Sequence, residues 1–344
     1  MKSIKVFILL TVCSIFLGMM LTSCTKPVKS FSTTDFAMGS AVNVKLYGYN
    51  EKQLAKPKPM SVISALENDI SKNIPGSFVS RLNKDNAADF SSAPNIYEYI
   101  KETAQIYSQS GGKAAVTSGA LTELWGFDDD NFNLPQDNQI KSAINFCGDN
   151  KIIFNDEKQS ISIEKGYIVN LGSVGKGIAC DAAVDYFNDT SDILTGGVVS
   201  VGGSVATWGS PPTGDKWSVG IRNPFGSENE YFAILSLDEA FISTSGDYEK
   251  KFTADNGETY SHILDLTTGY PAKSDLASVT IIAKTGLQSD ALSTMCFILG
   301  KDNSLDILRK YGAEAIFVYK DKTVFATDGI KDSIKITASG FTLV

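Results

Sequence analysis

The 344-residue sequence has one histidine, His262. It has no run of lysine and arginine, and acidic residues outnumber basic ones 39 to 31. That balance argues against nucleic acid as a partner. Cysteine is scarce too: Cys13, Cys24, Cys147, Cys180 and Cys296. No two stand as CxxC, and none has the Cys/His spacing of a zinc site. Internal repeats and low-complexity linkers are absent, so nothing marks a boundary between domains.

The N-terminus reads as a targeting segment. Met1 to Lys5 holds two lysines and no acid, Val6 to Leu17 is apolar, and Leu21-Thr22-Ser23-Cys24 places small residues before a cysteine. Residues 1–23 are therefore expected to be a lipoprotein signal peptide. The competing reading is an uncleaved membrane helix, for which the apolar run is short. Cleavage would leave Cys24 as a lipidated N-terminus, residues 24–31 as a short polar linker and residues 32–344 as one folded domain. Several acyl chains hold firmly, since each buried methylene contributes about 0.8 kcal/mol. The expected location is the extracytoplasmic face of a bacterial membrane. Loss of Lys2 and Lys5 with the signal leaves 29 basic against 39 acidic residues, a net charge of −10. The lipid, not charge, would then hold the protein at the membrane. Cys147, Cys180 and Cys296 are expected as core thiols.

Periodicity predicts helices through Met60, Ile63, Leu66 and Ile70, through Ile96, Ile100, Ala104 and Tyr107, and through Ile140, Ile144 and Cys147. Residues 151–154 and 160–163 flank a polar turn and read as a hairpin. A short strand is expected over 167–171, running through glycines into a helix that reaches about Asn188. Further strands are expected near 198–201, 217–221, 233–237, 241–244 and 278–283. Helices follow at 287–299 and 305–311, then a hairpin of 315–319 and 324–326. Strands and helices mix without strict βαβ alternation, which predicts an α+β fold.

Four places carry chemistry. His262 sits after a strand-like run and before the turn Thr268-Gly269-Tyr270-Pro271. It is either a general base facing a cleft or a hydrogen-bonded structural residue. On the 287–299 helix, Asp290, Ser293 and Thr294 fall in one wedge of an otherwise apolar wheel. They form either a pair of hard oxygens suited to Mg²⁺ or Ca²⁺, or a solvated stripe with Asp290 as a first-turn charge. The run Asn170-Leu171-Gly172-Ser173-Val174-Gly175-Lys176-Gly177 lets backbone approach an anion at a helix start, beside Lys176, or is simply a tight turn. It is neither a Walker loop nor GxGxxG. Val201 to Ser204 and Ser243 to Tyr248 are glycine- and hydroxyl-rich strand ends, which serve pockets and ordinary turns alike.

Taken in order, these pieces resemble the ApbE-type FAD:protein FMN transferases from about Phe31 to the C-terminus. The motifs are Met38-Gly39-Ser40, Ser77 to Asn83, Thr117 through Leu124-Trp125-Gly126-Phe127, Gly172 to Gly177, Gly202-Gly203, Thr244 to Tyr248, His262 to Asp265 with Thr268 to Pro271, and Asp290 to Thr294. The resemblance implies a single α+β domain with a T-fold-like core of mixed sheets and packed helices. It implies a Mg²⁺ site from Asp290, Thr294 and the Ser173 carbonyl. It implies an FAD pocket lined by Met38, Asn73, Ala114, Ala115, Val116, Asn170, Lys176 and Leu264, with His262 as base and Lys176 as a second catalytic group. Ala115 stands where many members have Asp, Asn73 where some have a stacking Tyr, Asn170 in place of a common Asp, and Leu266 in place of a Pro.

The expected reaction is Mg²⁺-dependent transfer of FMN from FAD to a Thr or Ser hydroxyl of an acceptor flavoprotein, through a phosphodiester bond, with release of AMP. The alternatives are an FAD pyrophosphatase giving FMN and AMP, and a lipoprotein that binds flavin without catalysis.

Overall fold

The computed structural model describes residues 27–344 apart from 129, 130 and 214. The expected signal segment, Cys24 and its lipid lie outside the described residues.

A nine-stranded sheet forms the centre. Its strands are Lys29–Ala37, Ser40–Gly48, Gly196–Val201, Ser204–Gly209, Ala240–Gly246, Leu276–Ala283, Glu314–Tyr319, Thr323–Ala326 and Thr342–Leu343, and their order across the sheet follows the chain. Every neighbouring pair is antiparallel except the last. The first two strands join through Met38 and Gly39, both at positive φ, 55° and 67°. Two such residues in sequence match the right-handed twist of a hairpin. For a methionine that backbone costs energy, and a hydrogen bond from Met38 N–H to Glu67 Oε1 at 2.9 Å holds it.

Helices Gly175–Asp189 and Gly286–Leu299 pack together on one face of this sheet. Pro59–Ile70 lies on the first of them and Pro94–Tyr107 on the second. Both outer helices begin with proline, whose missing N–H costs nothing in a first turn. The other face, at the C-terminal end, is covered by a three-stranded sheet of Trp217–Arg222, Tyr231–Leu237 and Ile334–Ile336. One strand shows how the faces divide. Along Glu314–Tyr319, Ala315 and Phe317 join the helix-side core, whereas Ile316 and Val318 join the core beneath the small sheet. A third core gathers Trp125, Phe127, Leu264 and Leu266, and Trp125 Nε1 donates to the Gly269 carbonyl at 2.9 Å. This is the α+β fold expected, a single body of mixed sheets with helices packed on it.

Most expected elements are present. The strand over 167–171 is not. Its backbone bonds go elsewhere. Val169 N–H donates to Asn83 Oδ1, the Val169 carbonyl accepts from Asn83 Nδ2, and Asn170 N–H donates to the Val116 carbonyl. An asparagine side chain takes the place a neighbouring strand would hold. The third helix closes at Ile144, so Cys147 lies beyond it. The three described cysteines are free thiols. Among the described residues no helix is long and apolar enough to cross a membrane.

Candidate active site

The two central helices cross at glycines. A Cβ on Gly177 would lie 2.0 Å from the Gly286 carbonyl oxygen, and one on Gly286 would lie 2.0 Å from the Gly177 carbonyl oxygen. Only backbone fits there. The crossing sets each helix start beside a carboxylate of the other. Asp290 Oδ2 accepts from Gly177 N–H at 2.8 Å. Asp181 accepts from Gly286 N–H at 2.6 Å and from Leu287 N–H at 2.9 Å. In a continuous helix Gly177 N–H would go to the Ser173 carbonyl. It is diverted to Asp290, so that carbonyl loses its helical donor.

Asp290 is therefore buried, 3 % exposed, and not part of a solvated stripe. Burial pushes its carboxyl above the ordinary range, against the pull of Lys176 and the Gly177 N–H. Burial also works to lower the Lys176 ammonium, but the Asp290 and Glu249 carboxylates outweigh it and keep the lysine charged. The rest of the wedge is satisfied by hydroxyls. Ser293 Oγ lies 2.8 Å and Thr294 Oγ1 3.3 Å from Ser245 Oγ. Tyr107 donates to Ser173 Oγ at 2.8 Å and also interacts with Thr294, so one phenol ties the glycine turn to the Asp290 helix.

His262 follows the short strand Thr259–Ser261. Its Nδ1 lies 3.1 Å from the Lys250 carbonyl oxygen. A carbonyl only accepts, so Nδ1 carries the proton and Nε2 is the basic nitrogen. Burial, reinforced by Lys176, pushes the imidazole down to about 4. It is neutral at physiological pH and able to accept a proton.

Asp290, Thr294, Ser245, Ser173, Tyr107, Lys176, Glu249 and His262 open onto one cavity of about 1080 Å³. Met38, Asn73, Ala114, Ala115, Asn170, Ser173, Lys176, His262, Leu264, Asp290 and Thr294 line it. Val116 does not. Its side chain is wholly buried in the helix-side core and its N–H donates to Asp149 Oδ2, which holds the residue within the core. The Asn170 side chain is engaged on every side, accepting from Gly172 N–H and donating to Thr122 Oγ1 and Asp128 Oδ1. It shapes the turn from within the wall.

Sequence reading missed Asp128, Tyr107, Arg222 and Glu249, which line the cavity too, as do Lys72 beside Asn73 and Tyr248 at the end of the run from Ser243. Lys72 pairs with Glu123 at 2.8 Å and Asp128 at 3.2 Å. Tyr107 carried only a helical core signal, since nothing local reveals what a phenol reaches.

The cation the Asp290 wedge suggests can be tested against the donors. Among the described residues no three His, Cys, Asp or Glu cluster as a metal site. One carboxylate, one hydroxyl and a backbone carbonyl are all hard oxygens. Such a set suits Mg²⁺, which commonly takes one or two protein carboxylates and completes its shell with substrate phosphates and water. The residues fit the ion.

An α+β scaffold that brings a buried carboxylate with a hydroxyl one turn on, a charged lysine and a neutral imidazole to one large cavity has the parts of a group-transfer enzyme. The chain belongs to the ApbE family, whose model matches residues 38–317. It is 29% identical over 343 residues to the FAD:protein FMN transferase of Treponema pallidum, covering 92% of each chain. It is 25% identical over 336 residues to that of Haemophilus influenzae, covering 94% of this chain and 96% of the relative. Among solved structures, the ApbE protein of Thermotoga maritima superposes with a TM-score of 0.79 at 27% identity, over 89% of this chain and 99% of that one.

Proposed function

We propose that this protein is an FAD:protein FMN transferase. The observation that carries the reading is the convergence on one cavity of Asp290, Thr294 and the Ser173 turn, with Lys176 and the neutral His262 beside them. The family relationship supports it.

The acceptor is a Thr or Ser hydroxyl of another protein. Its oxygen attacks the FMN-side phosphorus of FAD. An O–P bond forms, the pyrophosphate O–P bond breaks, and AMP leaves with the electron pair. His262 Nε2 takes the hydroxyl proton, a contribution of about 10²–10⁴-fold. Lys176 and the N–H groups at the start of the Gly175–Asp189 helix offer positive charge to the phosphates. Asp290, Thr294 and the Ser173 carbonyl would hold Mg²⁺, which supplies charge neutralisation to a pyrophosphate when bound. The lumen beside Met38, Asn73, Ala115 and Leu264 takes the FAD. The N-terminal residues favour a lipid anchor on Cys24, which would keep the site close to the outer face of a membrane.

The test is incubation with FAD, Mg²⁺ and the cell-envelope proteins of the source organism. In-gel flavin fluorescence and mass spectrometry then locate the modified residue. A covalent FMN adduct on Thr or Ser, with AMP released, is expected. The His262→Ala variant should bind FAD yet transfer about 10²-fold or more slowly. Transfer by that variant at the wild-type rate would remove His262 from the mechanism.

A further inference from the structure

The same cavity is also bordered by a strand of the small sheet. The strand Trp217–Arg222 is the outer member of the three-stranded sheet, and among the described residues it pairs only with Tyr231–Leu237. Val219, Gly220, Ile221 and Arg222 all line the cavity. Successive residues of a strand point to opposite faces, so a cavity that meets four in a row runs along the strand's edge. The edge bears Trp-Ser-Val-Gly-Ile-Arg, with neither lysine nor proline, and its register slips only at the last step, between Ile221 and Arg222. These are the devices by which proteins usually close an open edge, and they are missing along most of this one.

Two side chains flank the edge. The Arg222 guanidinium stands 4.8 Å from the centre of the Tyr248 ring, and its buried Nε has no hydrogen-bond partner. The Tyr231 ring lies across Gly220, where a Cβ would come within 2.6 Å of it, and Tyr231 is 54% exposed. A charged line joins this edge to the reacting groups. Glu249 interacts with both Arg222 and Lys176, and Lys176 with both Glu249 and Asp290.

We propose that the acceptor polypeptide binds in extended form as an added strand on the open edge of Trp217–Arg222, with Arg222 holding a carbonyl or carboxylate of that segment and Tyr231 packing on one of its side chains. The proposal rests on the transferase reading, which requires a polypeptide hydroxyl to reach His262. The edge is continuous with the cavity holding that histidine. Backbone pairing would secure the segment whatever its sequence, while Arg222 and Tyr231 select it, as in other strand-addition complexes.

The test uses a synthetic peptide spanning the residue found to carry FMN in the fluorescent band. A series of single backbone N-methylations is made along it. Two readouts are followed, FMN incorporated into peptide and AMP released from FAD by water in its absence. Methylation at alternate positions should slow incorporation about tenfold, and the positions between should leave it within about twofold. Amide exchange of residues 217–222 should slow when the peptide is added. Tyr231→Ala should raise the KM for peptide several-fold with AMP release by water unchanged. Incorporation that ignores every methylation, or that falls without a period of two, overturns the added strand. A wild-type enzyme that neither labels the unmethylated peptide nor releases AMP would overturn the transferase reading itself, a failure distinct from the first.

Discussion

Two helix starts at the centre of the molecule are built alike and used differently. Gly177 N–H is taken by Asp290, and the Gly286 and Leu287 N–H groups are taken by Asp181. Each carboxylate belongs to the other's helix, and both helices meet at a glycine-to-glycine contact. Only Asp290 opens onto the cavity. Capping a helix is thus a structural task that either aspartate performs. In the proposed mechanism, chemistry is added where the cap also faces a cavity lined by Lys176, Thr294 and Ser173. A buried acid at a helix N-terminus, taken alone, says nothing about function.

The comparison breaks most sharply at Asp290. Asp290→Asn keeps an oxygen for the Gly177 N–H but removes the charge that a cation requires. FMN transfer should fall by about 10³-fold, near 4 kcal/mol, while the melting temperature drops only by what a weakened cap costs, about 1 kcal/mol. Mg²⁺ titration by calorimetry should lose its binding isotherm. Wild-type metal affinity in this variant would sink the assignment of Asp290.

Gly177→Ala attacks what the two helix starts share. The added methyl meets backbone, which cannot step aside as a flexible side chain could. Destabilisation of about 3 kcal/mol is expected, together with weaker Mg²⁺ binding, because the crossing sets the position of Asp290. Chemical denaturation and calorimetry measure both. A neutral Gly177→Ala would mean that the helices can part without consequence.

What the sequence displayed and what it hid follow the same line. The wedge of Asp290, Ser293 and Thr294 was legible because helical periodicity fixes which side chains share a face. Whether that face met solvent or protein was not, since the answer depends on Lys176 and Ser245, far away along the chain. The helices starting at Pro59 and Pro94 were legible from spacing alone. The strand Lys29–Ala37 is exposed along most of its length and shows no apolar period to read. Its partner Ser40–Gly48 does alternate, with Val42, Val44 and Leu46 inward, and that signal was there to be found. Residues 167–171 misled because an apolar run looks the same whether its backbone is paired by a strand or by Asn83. Val116 shows the limit of reading by motif, since its neighbours Ala114 and Ala115 line the cavity while its own side chain is held in the core.

The smallest expected effect lies at Asp181, the cap without a lumen. Asp181→Asn should leave FMN transfer within about twofold, since its carboxylate touches only the Gly286 and Leu287 N–H groups and lies outside the cavity wall. Its signature is in stability against pH. Burial pushes the Asp181 carboxyl up to about 7, against the opposing pull of the two N–H groups. An acid whose folded pKa is raised favours folding while protonated. That contribution is complete below about 4, the ordinary carboxyl value, and is lost as pH rises through 7. The asparagine variant does not titrate, so the melting temperature of the native protein should fall relative to Asp181→Asn between pH 4 and pH 7 and then level off. His262, held down to about 4, slopes the other way over part of this window, stabilising as pH rises. It is present in both proteins, so subtracting their two curves cancels it. A difference that stays flat from pH 4 to pH 8 would show that Asp181 is ionised throughout and that burial does not raise its carboxyl.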